Sequence, residues 1–341
     1  MSKKPYVLSP ENGFVFDTYT DLQNEFIEKI RTLGTDTANE WLVPVKNGAE
    51  VSYPRALTLR WECDAQPPYL LEISEDGEFT NPLSYEAAEK RYAVENLKTG
   101  QQYFWRVNGC EPHTFTTRPA APRFLRVEGL MNVRDIGGGR VRQGLIYRGS
   151  TPDRHYFPLT ERGKRVLLEE WKIKTELDLR QSTENREANP FEGRIRILPM
   201  PYRPYSEIFE EEHRRGIREI MNVFANEANY PIYIHCFGGA DRTGMLAMYL
   251  EAIAGESDEY ILTDYELTGL SMYMGGTKEG IALGETAGLR SRNAEYFRPF
   301  LELLDNYGAS GATLAERLIA FLLDCGVPRE DMDAIAHIIK A

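Results

Sequence analysis

The sequence is poor in cysteine and has no long apolar run. Only 4 of its 341 residues are cysteine, and they lie far apart, which excludes a disulfide-rich scaffold and a Cys-x-x-Cys pair. No stretch of about 20 apolar residues occurs, and no apolar run follows the lysines near the N-terminus, so we expect neither a membrane span nor a signal peptide. These absences favour a cytoplasmic protein with free thiols, with secretion as the less favoured alternative.

The chain also has fewer basic than acidic residues. The chain carries 40 Lys and Arg against 52 Asp and Glu, which gives a formal net charge of −12 and a pI of about 5.1. Because proteins that bind a phosphate polymer need clustered basic side chains, we expect no nucleic-acid partner. Hydrophobic residues make up 42% of the chain, which is enough for a buried core, and the length favours two domains over one.

The first third of the chain predicts a small β-sandwich. Short segments there alternate apolar and polar residues and are separated by Gly or Pro, namely 56–61, 69–74 and 103–107. The Leu59-x-Trp61 and Tyr103-x-Trp105 pairs resemble strands of a fibronectin type III domain. The resemblance implies an antiparallel sandwich that could dock to another protein.

Two further features define the limits of this region. Apolar residues within 22–30 recur at helical spacing and predict an amphipathic helix that packs on the sandwich. The segment 117–122 contains two prolines and predicts a linker. We therefore expect residues 1–118 to form a fibronectin type III-like sandwich with an N-terminal helical extension, and residues 123–341 to form a second domain.

From residue 123 onward, short apolar strands alternate with longer helical segments, which is the pattern of an α/β fold. The clearest strand candidate is 231–235, because it is short and apolar and is followed by a glycine-rich turn and a helix beginning near Thr243. Residues 244–254 are apolar on almost every face, so we expect that helix to be buried in the centre of the domain. Helical periodicity continues toward the C-terminus, over 257–270, 291–306, 312–325 and 329–340.

Residues 235–244 read His-Cys-Phe-Gly-Gly-Ala-Asp-Arg-Thr-Gly and combine the features of an anion site. Backbone N–H groups of a tight loop at a helix N-terminus bind phosphate, and the same positive field lowers the pKa of a cysteine placed beside them. Gly238 and Gly239 permit the conformations that direct successive N–H groups inward, and Arg242 can contact two oxygens of a phosphoryl group. This order of residues predicts Cys236 as a nucleophile in phosphate chemistry.

The same segment resembles the His-Cys-x5-Arg-Thr signature of the cysteine-dependent protein tyrosine phosphatase superfamily. A second block, Asn-x-Arg-Asp-x-Gly-Gly at 132–138 with Asp-Leu-Arg at 178–180, resembles the atypical bacterial tyrosine and lipid phosphatases of the tyrosine-phosphatase-B type. The resemblance implies an α/β cysteine-phosphatase fold over residues 123–341, with a central, mostly parallel sheet flanked by helices. It also implies a phosphomonoester hydrolase without metal or cofactor, first of all a protein tyrosine phosphatase, which could be dual-specific.

The resemblance further implies a role for each residue of the loop. Cys236 would attack phosphorus in line and form a phosphocysteine, while Arg242 would hold the equatorial oxygens. Thr243 would donate a hydrogen bond to the leaving thiolate, and His235 would orient the loop rather than transfer protons. The loop amides would complete the phosphate site, and they belong to Phe237, Gly238, Gly239 and Ala240.

The general acid is open between three aspartates, because the Trp-Pro-Asp tripeptide that many members of the superfamily use does not occur in the sequence. Asp241, within the loop, is the acid that the resemblance implies, and it would protonate the leaving oxygen and later deprotonate the attacking water. Asp135 and Asp178 are the competitors. Asp135 could instead cap a turn. Asp178 could pair with Arg134 or Arg180 and brace the site.

The sequence indicates the type of reaction more clearly than the substrate. Ala240 occupies a position where the family often has lysine, and the loss of that cation favours phosphotyrosine over a phosphoinositide or inositol phosphate. The stretch 201–218 predicts either a lid over the substrate or a solvated helix. In a lid, Tyr202 and Arg203 would receive a phosphotyrosine ring and a peptide acid. A phosphorylated protein or small phosphoester is therefore the expected partner, and a phosphate-binding adaptor without turnover is the alternative.

Overall fold

The computed structural model describes residues 7–33, 42–43, 50–153, 157–183, 188–191, 193–271, 287–288 and 296–341. The elements up to residue 117 are β1 (Val7–Ser9), β2 (Phe14–Phe16), α1 (Asp21–Leu33), β3 (Leu42–Val43), β4 (Leu57–Glu62), β5 (Tyr69–Ser74), β6 (Leu83–Ala87), β7 (Arg91–Val94), β8 (Gln102–Val107) and β9 (His113–Thr117). Most of these strands form two sheets, ordered β1-β4-β7 and β2-β9-β8-β5-β6.

The two sheets of the N-terminal region share one buried core. Along β4, Leu57, Leu59 and Trp61 are buried, whereas the residues between them are exposed. Trp105 on β8 and Phe115 on β9 are fully buried in the same cluster. The predicted alternation of apolar and polar residues therefore builds an all-β region, because successive side chains of a strand point to opposite faces.

The second region contains most of the helices. Its elements are β10 (Arg123–Phe124), β11 (Arg134–Asp135), β12 (Ile146–Gly149), α2 (Glu161–Arg165), β13 (Thr175–Asp178), β14 (Arg196–Pro199), α3 (Glu211–Phe224), β15 (Ile232–His235), α4 (Asp241–Ala254), α5 (Asp258–Glu266), β16 (Ala287–Gly288), α6 (Arg298–Leu304), α7 (Leu314–Asp324) and α8 (Arg329–Ile339). A π-helical turn, Val166–Glu170, follows α2, and 3-10 turns span Tyr205–Phe209, Glu227–Asn229 and Leu267–Leu270. β16 pairs with β3.

A six-stranded sheet, ordered β10-β11-β12-β15-β13-β14, forms the centre of this region. β12, β15, β13 and β14 run parallel, while β10 and β11 pair antiparallel. Ile232 and Ile234 of the central strand β15 pack in the cluster that contains α4, α7 and α8, and Tyr233 packs on the other side with Leu167 and Trp171. The predicted α/β fold with a mostly parallel sheet flanked by helices is confirmed, and β15 delivers Cys236 to its centre.

The N-terminal helix is the main departure from the predicted arrangement. Phe26, Ile27 and Ile30 of α1 cluster with Leu267 and Leu270, which follow α5, so the prediction that this helix packs on the sandwich is wrong. An amphipathic pattern identifies the buried face of a helix but not the element that covers it. Among the described residues, every helix is too short or too polar to cross a membrane.

Candidate active site

The residues after β15 form a tight loop whose carbonyl oxygens are turned outward. Asn132 Nδ2 donates to Gly238 O and Gly239 O, at 3.0 Å each. Arg148 Nη2 donates to Gly239 O at 2.8 Å. Within the described residues, the N–H groups of Gly238 and Gly239 donate to no protein acceptor. Because a peptide unit points its N–H away from its C=O, these contacts direct the loop amides to the enclosed side, as an anion site requires.

A buried ion-pair network holds these outer donors in place. Arg134 Nε donates to Asp264 Oδ1 at 2.9 Å, and Arg148 Nη1 donates to Asp264 Oδ2. Arg134 also donates to Asn132 Oδ1, so a guanidinium orients the amide that binds the loop carbonyls. Burial lowers the pKa of Arg134 to about 10. Burial would raise the pKa of Asp264, but the charges of Arg148 and Arg134 outweigh it and hold that pKa below its usual value.

Gly239 is the loop position that admits no side chain. Its φ is +66°, in the left-handed region, and a Cβ there would lie 2.2 Å from the carbonyl oxygen of Gly149. A Cβ on Gly149 would in turn lie 2.6 Å from Tyr233 Oη. The loop therefore packs directly on the backbone at the end of β12, which is possible only because both residues are glycine.

Cys236 lies at the floor of this loop and is 3% exposed. Burial would raise the pKa of its thiol, but the positive charge of Arg242, together with the neighbouring Thr243, outweighs burial, so the net pKa is lowered. Thr243 itself is fully buried in the first turn of α4. A larger fraction of Cys236 is therefore the nucleophilic thiolate at neutral pH than for an ordinary cysteine.

His235 is fully buried between two acceptors. Its Nδ1 lies 2.9 Å from Cys236 O, and its Nε2 lies 2.9 Å from Glu176 Oε1. A carbonyl and a carboxylate both accept hydrogen bonds, so these surroundings favour a proton on each ring nitrogen. Burial would lower the pKa of His235, but the hydrogen bond and charge of Glu176 raise it overall. The contact with Cys236 O holds the first peptide of the loop in place.

Two guanidinium groups flank the ring of Phe237 at the entrance of the loop. The Cζ of Arg180 lies 5.4 Å and that of Arg242 5.9 Å from the ring centroid. Arg242 Nη1 donates to Leu179 O at 3.4 Å, and Thr151 N–H donates to Phe237 O at 2.8 Å. Arg242 is thereby positioned in the first turn of α4, six residues after Cys236, where it can contact phosphoryl oxygens.

The structure gives two of the three aspartates structural partners. Asp135 is fully buried and accepts hydrogen bonds from Arg123 and from two backbone N–H groups. Asp178 accepts from Arg180 Nη2 at 2.9 Å and Nε at 3.0 Å. Burial would raise the pKa of Asp178, but the charges of His235 and Arg180 hold it below its usual value, so this carboxyl is a poor proton donor.

Asp241 is placed differently from the other two. It is the first residue of α4, is only partly buried, and precedes Arg242 directly. Its Oδ1 accepts a hydrogen bond from the hydroxyl of Tyr205. Ala240, immediately before it, is 3% exposed and brings no charge to the loop. Of the three candidates, Asp241 is the carboxyl at the junction of the loop after β15 and α4.

The stretch 201–218, which the sequence left open between a lid and a solvated helix, contains a 3-10 turn and the first part of α3. Tyr202 is 1% exposed, and its hydroxyl donates to the carbonyl oxygen of Arg242, so its ring braces α4 instead of facing solvent. Arg203 is about half exposed, and its Nη1 lies 3.6 Å from Glu207. Tyr202 therefore does not present its ring to a substrate here, because its hydroxyl is used on the main chain of the loop.

Sequence reasoning missed several residues that hold the site. Arg148 and Asp264 both lie within residues 123–341, over which the phosphatase resemblance extends, but nothing in their spacing shows that they pair. Glu176 and Tyr205 gave no signal, since each acts through a partner that is distant in sequence. Only the fold brings these side chains to the loop.

A carboxyl group is also buried inside α4, behind the loop. Glu251 is fully buried, and within the described residues neither of its carboxylate oxygens has a hydrogen-bond partner. Burial raises the pKa of Glu251 well above its usual range, and the negative charge of Asp264 adds to that effect. The neutral, protonated form of this side chain is therefore favoured, and its ionisation opposes folding.

Replacing Glu251 by glutamine is expected to stabilise the protein increasingly as pH rises. A carboxyl whose pKa is raised in the folded state supports folding at low pH, and that contribution is lost as pH rises toward the folded-state pKa. We expect the melting temperature of Glu251→Gln to exceed that of the wild type by a margin that grows from about pH 5 to about pH 8. The exposed Glu302→Gln is the matched control and should show a constant difference. A margin for Glu251→Gln that does not change with pH would contradict this explanation.

Comparison with known proteins is consistent with this geometry. A model of the tyrosine phosphatase family matches residues 125–318. No curated protein matches the chain. Among solved structures, the core catalytic domain of the PP-IP phosphatase SIW14 from S. cerevisiae is 23% identical, with 42% of this chain and 78% of that chain covered and a TM-score of 0.30. P. aeruginosa TpbA is 20% identical, with 45% of this chain and 89% of that chain covered and a TM-score of 0.30.

Proposed function

The chain belongs to the tyrosine phosphatase family, and from this premise we propose that it is a protein tyrosine phosphatase in which Cys236 forms a phosphocysteine intermediate. Cysteine-dependent phosphatase activity follows from the family. The observation that carries the residue assignment is the loop after β15, where outward carbonyls and a lowered cysteine pKa occur together. Such a loop stabilises the equatorial oxygens of a phosphoryl group in transfer.

The proposed reaction has two steps. In the first, the Cys236 thiolate attacks phosphorus in line, the bond to the leaving oxygen breaks, and Asp241 gives that oxygen its proton. Arg242 and the loop amides hold the three equatorial oxygens. In the second, Asp241 takes a proton from water, the water oxygen attacks phosphorus, and the thiolate leaves with a hydrogen bond from Thr243. The products are the dephosphorylated alcohol or phenol and inorganic phosphate.

Asp241 is the acid in this proposal because its competitors are committed elsewhere. Asp135 holds Arg123 and two backbone N–H groups, and Asp178 holds Arg180 in an ion pair. A carboxylate with a depressed pKa that is paired to a guanidinium donates protons poorly. Asp241 lies on the loop itself, next to Arg242, and therefore close to where a leaving oxygen would be.

A substrate with one phosphate is favoured over a polyphosphorylated one. Arg134 and Arg148 are bound to Asp264, and Arg180 to Asp178, so these buried guanidinium groups are not available for a second phosphate. Ala240 supplies no cation. In the part of the chain that the structure describes, Arg242 is the basic side chain that the loop itself carries. Phosphotyrosine in a protein or a small aryl phosphate therefore suits the site better than a phosphoinositide.

The experiment that tests the substrate is a comparison of kcat/KM across phosphate esters. We expect a phosphotyrosyl peptide to be hydrolysed at least about ten-fold more efficiently than a short-chain phosphoinositide or an inositol polyphosphate. Cys236→Ser protein serves as the blank for contaminating phosphatases. A higher kcat/KM for the inositol substrates would overturn the substrate proposal, while leaving the family and the nucleophile unaffected.

We also propose that residues 123–341 carry the catalysis and that the sandwich within residues 1–118 is a fibronectin type III-like docking domain. Its support is the pair of sheets with three and five strands that share one core containing Trp61 and Trp105. The proposed docking partner is a phosphoprotein substrate. Substitutions on the surface of the sandwich that contacts this partner would change KM for the protein substrate but not KM for a small aryl phosphate.

A further inference from the structure

Two tyrosine hydroxyl groups lie behind the proposed acid. Tyr205 Oη donates to Asp241 Oδ1, and Tyr265 Oη lies 2.7 Å from Tyr205 Oη. Both tyrosines are buried, with Tyr205 9% and Tyr265 5% exposed. The three side chains come from the 3-10 turn after β14, from α4 and from α5, so the contact is made by tertiary packing.

Both rings are held in place by further contacts. The ring of Tyr265 stacks on Phe297 at a centroid distance of 4.2 Å, and that of Tyr205 stacks on Tyr296 at 5.8 Å. The backbone N–H of Tyr205 donates to Met245 Sδ at 3.0 Å. The φ of Tyr205 is +60°, in the left-handed region that a bulky residue rarely adopts. Such a conformation is kept only where the surroundings enforce it.

The number of protons fixes the direction of this hydrogen-bond chain. Each hydroxyl has one proton to donate and can also accept. Because Tyr205 uses its proton on Asp241, the proton between the two tyrosines must come from Tyr265. Burial raises the pKa of Tyr205 well above its usual value, so that hydroxyl keeps its proton. The chain therefore runs in one direction, from Tyr265 through Tyr205 to Asp241.

We infer that Tyr205, oriented by Tyr265, is a positioning residue that fixes the carboxyl of Asp241 and assigns its two oxygens different tasks. Oδ1 accepts from Tyr205 in both protonation states, and Oδ2 carries the proton that is given to the leaving group and later recovered from water. This inference rests on the proposed role of Asp241 as general acid and adds the side chain that orients its carboxyl. Without Tyr205, the carboxyl can rotate and place its proton on either oxygen.

The consequence is a loss that depends on the leaving group. A phenol with a high pKa needs a proton in the transition state, whereas dinitrophenolate leaves without one. We expect Tyr205→Phe to lower kcat/KM for phenyl phosphate about ten-fold, the upper end of the range for one hydrogen bond. The value of kcat/KM for 2,4-dinitrophenyl phosphate reports the steps up to release of the phenolate and not the later hydrolysis of the phosphocysteine, and we expect it to change by less than about two-fold. Tyr265→Phe should lower kcat/KM for phenyl phosphate by a smaller factor, because Tyr205 then keeps its hydroxyl but loses its orientation.

A double-mutant cycle separates positioning from general damage to the fold. Asp241→Asn alone should lower kcat/KM for phenyl phosphate much more than kcat/KM for 2,4-dinitrophenyl phosphate, and adding Tyr205→Phe to it should cause no further loss. The matched control is Tyr230→Phe, which removes another buried hydroxyl hydrogen bond, to Phe224 O at 2.7 Å, away from the loop. That control should affect both substrates equally.

These measurements separate the positioning role of Tyr205 from the acid role of Asp241. The positioning role is supported if Tyr205→Phe loses activity on phenyl phosphate only, and if the same substitution has no effect when Asp241 is already asparagine. In a second outcome, Asp241→Asn loses activity on phenyl phosphate only, while Tyr205→Phe and Tyr265→Phe lower the hydrolysis of both substrates equally. That result would overturn the positioning role and leave Asp241 as the acid. If Asp241→Asn is itself unselective, the acid assignment fails and the inference fails with it.

Discussion

Cys236→Ser is expected to lose turnover of every phosphate ester by about 10⁴-fold or more, the scale seen when a nucleophile is removed from a working site. A serine hydroxyl is not ionised at neutral pH, and neither Arg242 nor Thr243 can lower its pKa enough to make it a nucleophile. The loop amides and Arg242 are unchanged by the substitution. The variant should therefore still bind inorganic phosphate or vanadate, with a Kd near that of the wild type, as measured by calorimetry.

Cys325→Ser is the matched control for this prediction. Cys325 is also a buried thiol, but burial raises its pKa to about 12, and it lies between α7 and α8, away from the loop. We expect this variant to retain activity within about two-fold, since a buried neutral thiol takes no part in phosphoryl transfer. Turnover that survives in Cys236→Ser, or that disappears in Cys325→Ser, would refute the assignment of the nucleophile.

The second large effect is expected at Arg242, where charge and geometry can be separated. Arg242→Lys keeps the positive charge but loses the planar pair of N–H donors that can bind two phosphoryl oxygens. We expect kcat/KM to fall by about 10² to 10³, the usual loss when one donor to a developing charge is removed. Arg215→Lys, on the exposed face of α3, should leave kcat/KM unchanged.

Arg242→Met removes the charge as well and should be worse than Arg242→Lys. The charge of Arg242 lowers the pKa of Cys236, so its loss raises that pKa and decreases the thiolate fraction at neutral pH. The measurement is the rate of alkylation of Cys236 by iodoacetamide against pH. The midpoint should move to higher pH in Arg242→Met and stay near the wild-type value in Arg242→Lys. An unchanged midpoint in Arg242→Met would show that Arg242 does not activate the thiol.

The features of the protein that could be predicted from sequence are those governed by local spacing. The alternation along β4 and β8 depends only on the geometry of a strand, and the order of residues from His235 to Thr243 depends only on a loop between a strand and a helix. In both cases neighbours in sequence are neighbours in space. The predicted alternation and the predicted loop therefore match the structure.

The parts that could not be predicted depend on contacts across the fold. Asp264 meets Arg134 across 130 residues, and Glu176 meets His235 across 59. A sequence shows that these residues can form an ion pair but not which partner each one receives. The burial of Tyr202 belongs to the same class, since an aromatic residue near a site can face the substrate or the core.

The choice of the acid illustrates the same limit. The sequence left Asp135, Asp178 and Asp241 open, because all three lie in segments that resemble the family. The sequence already offered a turn cap for Asp135 and an ion pair with Arg180 for Asp178, but only the structure shows that both are formed. What then favours Asp241 is its place on the loop and its contact with Tyr205.

The most direct test of the central claim is to trap the enzyme with its phosphoryl group attached. Asp241→Asn, mixed with 2,4-dinitrophenyl phosphate and quenched within the first turnover, should form the intermediate readily and hydrolyse it slowly. Peptide mapping by mass spectrometry should find one phosphoryl group, on Cys236, and none in the Cys236→Ser variant. A burst of dinitrophenolate with no phosphoryl group on Cys236, or with the group on another residue such as His235, would contradict the account.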